Sequence, residues 1–243
     1  MLILNKNLLL FNKKFIWFPH NLHESLYSND LIYIRQHSLS LKKKYIIYEE
    51  DFKTTIINLN QVNDQIFNKF KASTRYDIRK SNSIGLFFQK INLLDKNELK
   101  FFKIEVKKFY KIKKLNNNFD FKYLPLDKLF LVKVHDKNIW FTYGLFIYDE
   151  NRFRLLLFIN NYSKIDKKLL GYSSKFLIWE SLQYAKLQNF KFFDFGGLSY
   201  DDNLKGINKF KLSFGGETIY EKNTLYCRSY LIRIVYYLRN LFK

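Results

Sequence analysis

The run Lys168-Leu169-Leu170-Gly171-Tyr172-Ser173-Ser174 has the residue types and spacing of an anion site. It precedes a stretch of helical periodicity whose expected start is about Ser174. The first N–H groups of a helix lack intrahelical partners, and the helix dipole adds positive potential there, so a phosphate is stabilised at that end. Gly171 lets the backbone approach a pyrophosphate closely. Lys168 supplies a counter-charge, and Tyr172, Ser173 and Ser174 complete the expected cradle. Downstream, Asp194-Phe195-Gly196-Gly197 closes an apolar run. Glycines at a strand end let a substrate reach backbone groups, and Asp194 suits either a substrate contact or a cap on the turn. Arg75 and Arg79 are four residues apart, hence on one helical face. They can grip a phosphate or carboxylate together, or serve as ion-pair partners at an interface. Phe210 and Lys211 sit on a short helix between Gly196-Gly197 and Gly215-Gly216. Taken alone, Lys211 reads as a solvated lysine.

Other chemistries are poorly supported. His20 and His23 have an H-x-x-H spacing without a third ligand nearby, so no metal site is expected. Cys227 is the only cysteine of the chain. It excludes a disulfide framework and reads as an inert core thiol in a reducing compartment. There is no Gly-x-Ser-x-Gly or P-loop motif and no zinc-finger or RNA-recognition signature.

The elements that must position these residues follow from periodicity and turn residues. Thr54 to Leu59 reads as a strand, Asn63 to about Ser81 as one helix ended by Gly85, and Leu86 to Ile91 as a strand. Asp95 is the expected N-cap of a helix over Glu98 to Lys111. Leu129–Val134, Ile139–Tyr148 and Phe153–Ile159 form an antiparallel meander, broken at 135–138 and 149–151. A loop over 160–170, a helix from about Ser174 to Leu187 and a strand over Phe190–Phe195 follow. A helix between two strands of one sheet implies a parallel pair. Residues 1 to about 50 read as short apolar pieces, Leu8–Phe11 among them. The tail, 229–243, is an amphipathic helix with the stripe Leu231, Ile234, Val235, Leu238, Leu241 and Phe242. Such a stripe either packs on its own domain, the preferred expectation, or lies on an anionic membrane.

The segment Lys191–Tyr220, with Gly206-x-x-x-Phe210-Lys211-x-x-Phe214-Gly215-Gly216 at its centre, resembles the C-terminal core of Fem-type transferases in the GNAT acyltransferase superfamily. Thr74–Lys80 with Gly85 is similar to a segment of their first lobe, and Lys168–Ser173 is similar to the GNAT pyrophosphate loop. The resemblance spans about residues 54–91 and 129–220. It implies an α/β fold, a GNAT-like mixed sheet with flanking helices. The expected organisation is a degenerate N-terminal lobe (1–95), a fuller acyltransferase lobe (96–228) and the tail helix (229–243).

By resemblance, Phe210 borders the reacting carbonyl and Lys211 stabilises the charge developing on its oxygen. Backbone N–H groups near Gly196 to Leu198 would assist. Lys168 and Gly171–Ser174 would bind the donor, and Arg75, Arg79, Asp194, Gly196 and Gly197 the substrate. The implied activity is N-acyl or N-aminoacyl transfer to an amine of an envelope glycan or peptidoglycan precursor. The donor would be acyl-CoA, acyl-carrier protein or aminoacyl-tRNA, with no permanently bound cofactor. The first lobe is short and lacks the helical-hairpin arm of the larger Fem enzymes, which weakens the tRNA option and favours acyl-CoA or acyl-carrier protein.

The chain has 243 residues, 42 Lys+Arg against 22 Asp+Glu and a formal net charge of +20. Such a field attracts nucleic acid, anionic lipid or phosphate-rich cofactors. A non-catalytic RNA-binding or membrane-surface protein is therefore the alternative reading. No stretch has the length of a membrane span or the form of a signal peptide, so a cytoplasmic protein is expected, peripheral on the membrane's inner face if the tail binds lipid.

Overall fold

The computed structural model describes residues 1–7, 12–19, 31–114, 119, 121, 124–137, 139–162 and 165–241. The apolar piece 8–11, His20, His23, Asn138 and Phe242 lie outside the described residues. In chain order the elements are β1 (Leu2–Asn7), β2 (Asn12–Trp17), β3 (Leu31–His37), β4 (Ile46–Asn58), α1 (Asn63–Asn68), α2 (Ala72–Ser83), β5 (Phe87–Ile91) and α3 (Lys96–Ile112). Then come β6 (Leu129–His135), β7 (Trp140–Tyr148), β8 (Arg152–Asn160), α4 (Lys167–Leu187), β9 (Phe192–Gly197), α5 (Lys205–Leu212), β10 (Glu217–Tyr226) and α6 (Tyr230–Leu241).

The chain forms two compact units, and their boundaries differ from the expected 1–95, 96–228 and 229–243. One unit comprises Met1–Thr54, Lys122–Leu124 and Thr218–Lys243; the other comprises Thr55–Phe121 and Pro125–Glu217. The reason is packing. Helix α2 lies against α4, tied by the Lys175–Asp77 ion pair and by Ser81 Oγ donating to Tyr172 O at 3.0 Å. Residues 55–95 therefore share a core with the acyltransferase-like segment. Helix α6 is no separate piece, because Ile232 and Tyr236 pack on buried Leu31, Leu225 and Cys227 of the first unit.

In the first unit the strand order is β1-β2-β3-β10-β4, with β2 and β3 parallel and β3 and β10 antiparallel. In the second unit the order runs from the end of β4 through β9-β8-β7-β6-β5. Strands β5 to β8 form the expected antiparallel meander. The β8–α4–β9 crossover makes β8 and β9 parallel, as the helix between them requires. The core on the α4 side holds Leu177, Ile178, Leu182 and Ala185 against Phe146, Phe153, Phe193 and Phe195, all fully buried.

Two sequence expectations change. The single helix over 63–81 is broken into α1 and α2 by an extended Lys71, the N-cap of α2. Helix α4 begins at Lys167, well before Ser174. Its N-cap is Asp166, whose carboxylate accepts from the N–H groups of Lys168 and Leu169 at 3.0 and 3.2 Å.

Candidate functional site

The pairing of β8 with β9 is short. It runs through Arg152↔Phe192, Phe153↔Phe193 and Arg154↔Asp194 and goes no further, although β8 continues to Asn160 and β9 to Gly197. A β-bulge contributes. On β7, Leu145 pairs with Leu157 and Phe146 with Leu155, so Leu156 is an extra residue that bends β8. The C-terminal ends of two parallel strands thus separate, and that opening is where the sequence-named residues of the Lys191–Tyr220 segment meet.

Asp194 is fully buried at the last paired position, with Arg152 Nε 3.4 Å from its Oδ2. Its Oδ1 accepts the Gly196 N–H at 2.8 Å, which holds the turn. Gly196 has φ +72°, and a Cβ there would lie 2.8 Å from Leu155 O, so only glycine fits without a backbone shift. That bond spends the Gly196 N–H, which removes it from the expected oxyanion donors. Lys211 comes in from α5. Its Nζ donates to Gly197 O at 2.6 Å. Burial, and then the positive charge of Arg154, lower its pKa to about 8 against the opposing pull of Asp194. Lys211 is thus no solvated surface lysine. Gly197 O fixes the ammonium's direction and takes one of its three N–H groups. Phe210 packs edge-tilted on Phe158 of β8, ring centroids 5.6 Å apart, and on Phe214 at 5.4 Å. It forms an apolar wall with Phe158 and Phe214.

Helix α5 is held at both ends. Asn208 clamps the loop after β9, donating to Ser199 O at 2.7 Å and accepting from Ser199 N at 3.0 Å. At the C-terminal end, Ser213 O accepts from Lys71 N at 2.8 Å, and its hydroxyl accepts from Thr74 Oγ1 at 3.0 Å. Gly215, φ +66°, lies against Lys69 O with no room for a Cβ. Arg75 belongs to this clamp. Its Nη1 donates to Asn68 O at 2.9 Å and Phe70 O at 2.6 Å, closing α1 and fixing the turn that Gly215 meets. Arg79 is exposed, its guanidinium 5.5 Å from the Phe67 ring centre. The two arginines are therefore not joined in a shared grip.

The anion cradle expected at 168–174 is not formed. Gly171, Tyr172, Ser173 and Ser174 lie inside α4, so their N–H groups do not project from a helix start. The side chains of Ser173 and Ser174 are buried, Ser173 Oγ meeting Thr142 Oγ1 at 2.9 Å and Ser174 Oγ donating to Asn160 Oδ1 at 3.2 Å. Lys168 is exposed. The true helix start already carries the Asp166 carboxylate, an anion in the place where a pyrophosphate was expected.

Sequence reasoning missed Arg152, Arg154 and Asn208. The signal was available for the arginines: Arg152 and Arg154, two apart on a strand otherwise apolar, must share one face of a buried strand. Elsewhere in the unit, a cavity of about 610 Å³ is lined by Glu98, Lys133, His135, Trp140 and Tyr143 among others, and by none of the expected catalytic or binding residues. Among the described residues no group of three or more His, Cys, Asp or Glu side chains could hold a metal ion, and no helix is long and apolar enough to cross a membrane.

The fold is shared with solved structures. The structure of FemX superposes with a TM-score of 0.64 at 12% identity, covering 96% of this chain and 86% of that one. This is a Fem-like, GNAT-type fold. A C-terminal domain ascribed to a lysylphosphatidylglycerol synthetase of Agrobacterium fabrum gives a TM-score of 0.62 at 11% identity, covering 97% and 83%. L-PGS from Bacillus licheniformis gives 0.59 at 13% identity, covering 98% and 84%. No family model and no curated protein matches the sequence. At these identities the likeness establishes the Fem-like fold alone.

Proposed function

We propose that the protein is an aminoacyltransferase of envelope synthesis, working at the opening between β8 and β9. The observation that carries this reading is the buried Lys211 ammonium, held on Gly197 O. An acceptor amine attacks the donor's ester carbonyl. The C–N bond forms, and the carbonyl oxygen becomes an oxyanion. The two Lys211 N–H groups not given to Gly197 are the donors for it. Phe210 excludes water, which strengthens that interaction. The intermediate collapses with loss of the ester's alkoxy oxygen, which takes up the proton released by the amine.

The reading of the donor is supported by what the anion cradle became. An acyl-CoA needs a pyrophosphate site, and the helix start that would supply one is capped by Asp166. Aminoacyl-tRNA, which the Fem resemblance implies, needs no such cradle, and the +20 charge favours it. The acceptor is an envelope precursor, a peptidoglycan or glycan amine, met from the inner face of the membrane. The lysylphosphatidylglycerol synthetase named for one similar structure supports an acceptor in the envelope.

Incubation with radiolabelled aminoacyl-tRNA, or with acetyl-CoA, plus envelope precursors tests the reading. Transfer from aminoacyl-tRNA is expected, with Lys211→Ala lowering kcat by about 10² to 10³. Transfer from acetyl-CoA that is insensitive to Lys211→Ala overturns it.

A further inference from the structure

Helix α6 turns the wrong side outward for a helix that only packs on its own unit. Ile232 and Tyr236 face the unit, against buried Leu31, Leu225 and Cys227. Arg233 Nη1 donates to Lys44 O at 2.5 Å, and the Tyr237 hydroxyl to Ile47 O at 3.5 Å, so the helix is fastened along one side. The stripe read from the sequence lies elsewhere. Leu231, Ile234, Val235 and Leu238 are 74%, 36%, 36% and 50% exposed. Their spacing of three, four and seven places them on one line of the helix surface. The expectation that this stripe packs inward is therefore corrected. It faces outward, with exposed Tyr230 and Tyr237 close to it in sequence.

Basic residues adjoin it. Lys42, Lys43 and Lys44 are exposed in the turn that Arg233 holds to α6. Arg228, also exposed, precedes the helix with its guanidinium 5.7 Å from the Tyr45 ring centre. Helix α6 contains no acidic residue. An apolar stripe with tyrosines and a row of cations beside it matches the layering of an anionic bilayer: acyl boundary, interface, charged headgroups. A second copy of this chain is a poor occupant, because face-to-face pairing sets the same cations against each other. RNA is poor as well, since a phosphate backbone leaves four large aliphatic side chains in water.

We infer that α6 and the Lys42–Lys44 turn form a docking surface for an anionic lipid bilayer. The surface rests on the first unit alone. Only its purpose, bringing the protein to a membrane-borne acceptor, depends on the transferase reading, and the test needs no turnover.

The test is co-sedimentation of the full chain with vesicles of phosphatidylcholine alone or mixed with phosphatidylglycerol. Binding to the mixed vesicles, weakened by salt, is expected. The double variant Leu231→Asp/Leu238→Asp should lose at least tenfold in partitioning, and Lys42→Glu/Lys43→Glu a similar amount, since each cation near an anionic surface contributes about fivefold. Both pairs are exposed, so thermal melting should stay unchanged and separates lost docking from lost folding. Three results overturn the proposal: no binding of the wild type to anionic vesicles, equal binding of wild type and the leucine variant, or a wild-type dimer by light scattering that the leucine variant abolishes.

Discussion

Lys211 is a costly residue for the fold, and the cost has a pH signature. Its pKa falls from 10.5 to about 8, first because burial penalises the ammonium and then because Arg154 repels it. A lowered lysine pKa means that the unfolded chain binds more protons between about 8 and 10.5. Stability therefore rises with pH through that window, and the penalty is full below it. The shift corresponds to about 3 kcal/mol. Lys211→Met should melt higher than the wild type at pH 7, with the advantage shrinking as pH rises from 8 to above 10. An advantage that is absent, or constant with pH, rules out the buried ammonium. The catalytic profile has its own sign. The acceptor amine must be neutral, so the rate rises with pH at first. An oxyanion-binding Lys211 must be charged, so kcat/KM should fall above about pH 8. Lys211→Arg keeps its charge in that range and should lack the falling limb. A limb that instead rises near 8 and disappears in the arginine variant would make Lys211 a base.

At the scale of elements, the site depends on how α5 is locked. Gly215 sits at φ +66° with Lys69 O where a Cβ would go. Gly215→Ala should cost at least about 2 kcal/mol, combining the left-handed backbone penalty with a backbone clash. Arg75→Ala frees the carbonyls of Asn68 and Phe70 and should cost about 1–2 kcal/mol, since the partners are partly exposed. Both should lower kcat more than donor affinity, because they displace Lys211 by loosening its helix. A kcat unchanged in a folded Arg75→Ala protein would separate the α1–α2 turn from the site. These elements also show what a sequence can carry. The meander, the parallel β8–β9 pair and the Asp95 cap, which accepts from Asn97 N and Glu98 N, were legible because alternation and capping are local. The Phe210-Lys211 pair was legible as a motif, but its burial was not, since that depends on Arg154, Asp194 and Gly197 arriving from two strands. The start of α4 was misplaced because Lys167 and Lys168 look like loop and Gly171 like part of a phosphate-binding turn before the helix. In the structure a Cβ at Gly171 meets open space, so this glycine serves no close approach and merely weakens the helix by about 1 kcal/mol relative to alanine. The break at Lys69–Lys71 was invisible for a related reason. It is enforced by Arg75 and Ser213, neither of which disturbs the helical pattern of 63–81.

At the scale of the whole molecule, the donor question becomes one of charge. The chain carries 42 Lys+Arg against 22 Asp+Glu. It lacks the pyrophosphate cradle at Gly171–Ser174, and its Fem-like fold comes without a helical-hairpin arm among the described residues. A tRNA without that arm has to be held through dispersed lysines meeting phosphates, and such binding is dominated by counterion release. About five phosphate contacts predict a loss of affinity of roughly a hundredfold to five-hundredfold when salt rises fourfold, from about 50 to about 200 mM. Lys211→Ala should leave that affinity and its salt slope unchanged, because one buried ammonium bonded to Gly197 O releases no counterion. Fluorescence anisotropy with labelled aminoacyl-tRNA across a salt series checks both. A flat salt dependence, or saturable acetyl-CoA binding that protects the protein thermally while tRNA does not, would return the donor to the thioester class. The opening between β8 and β9 would remain the proposed site in that case, since its geometry owes nothing to the surface charge.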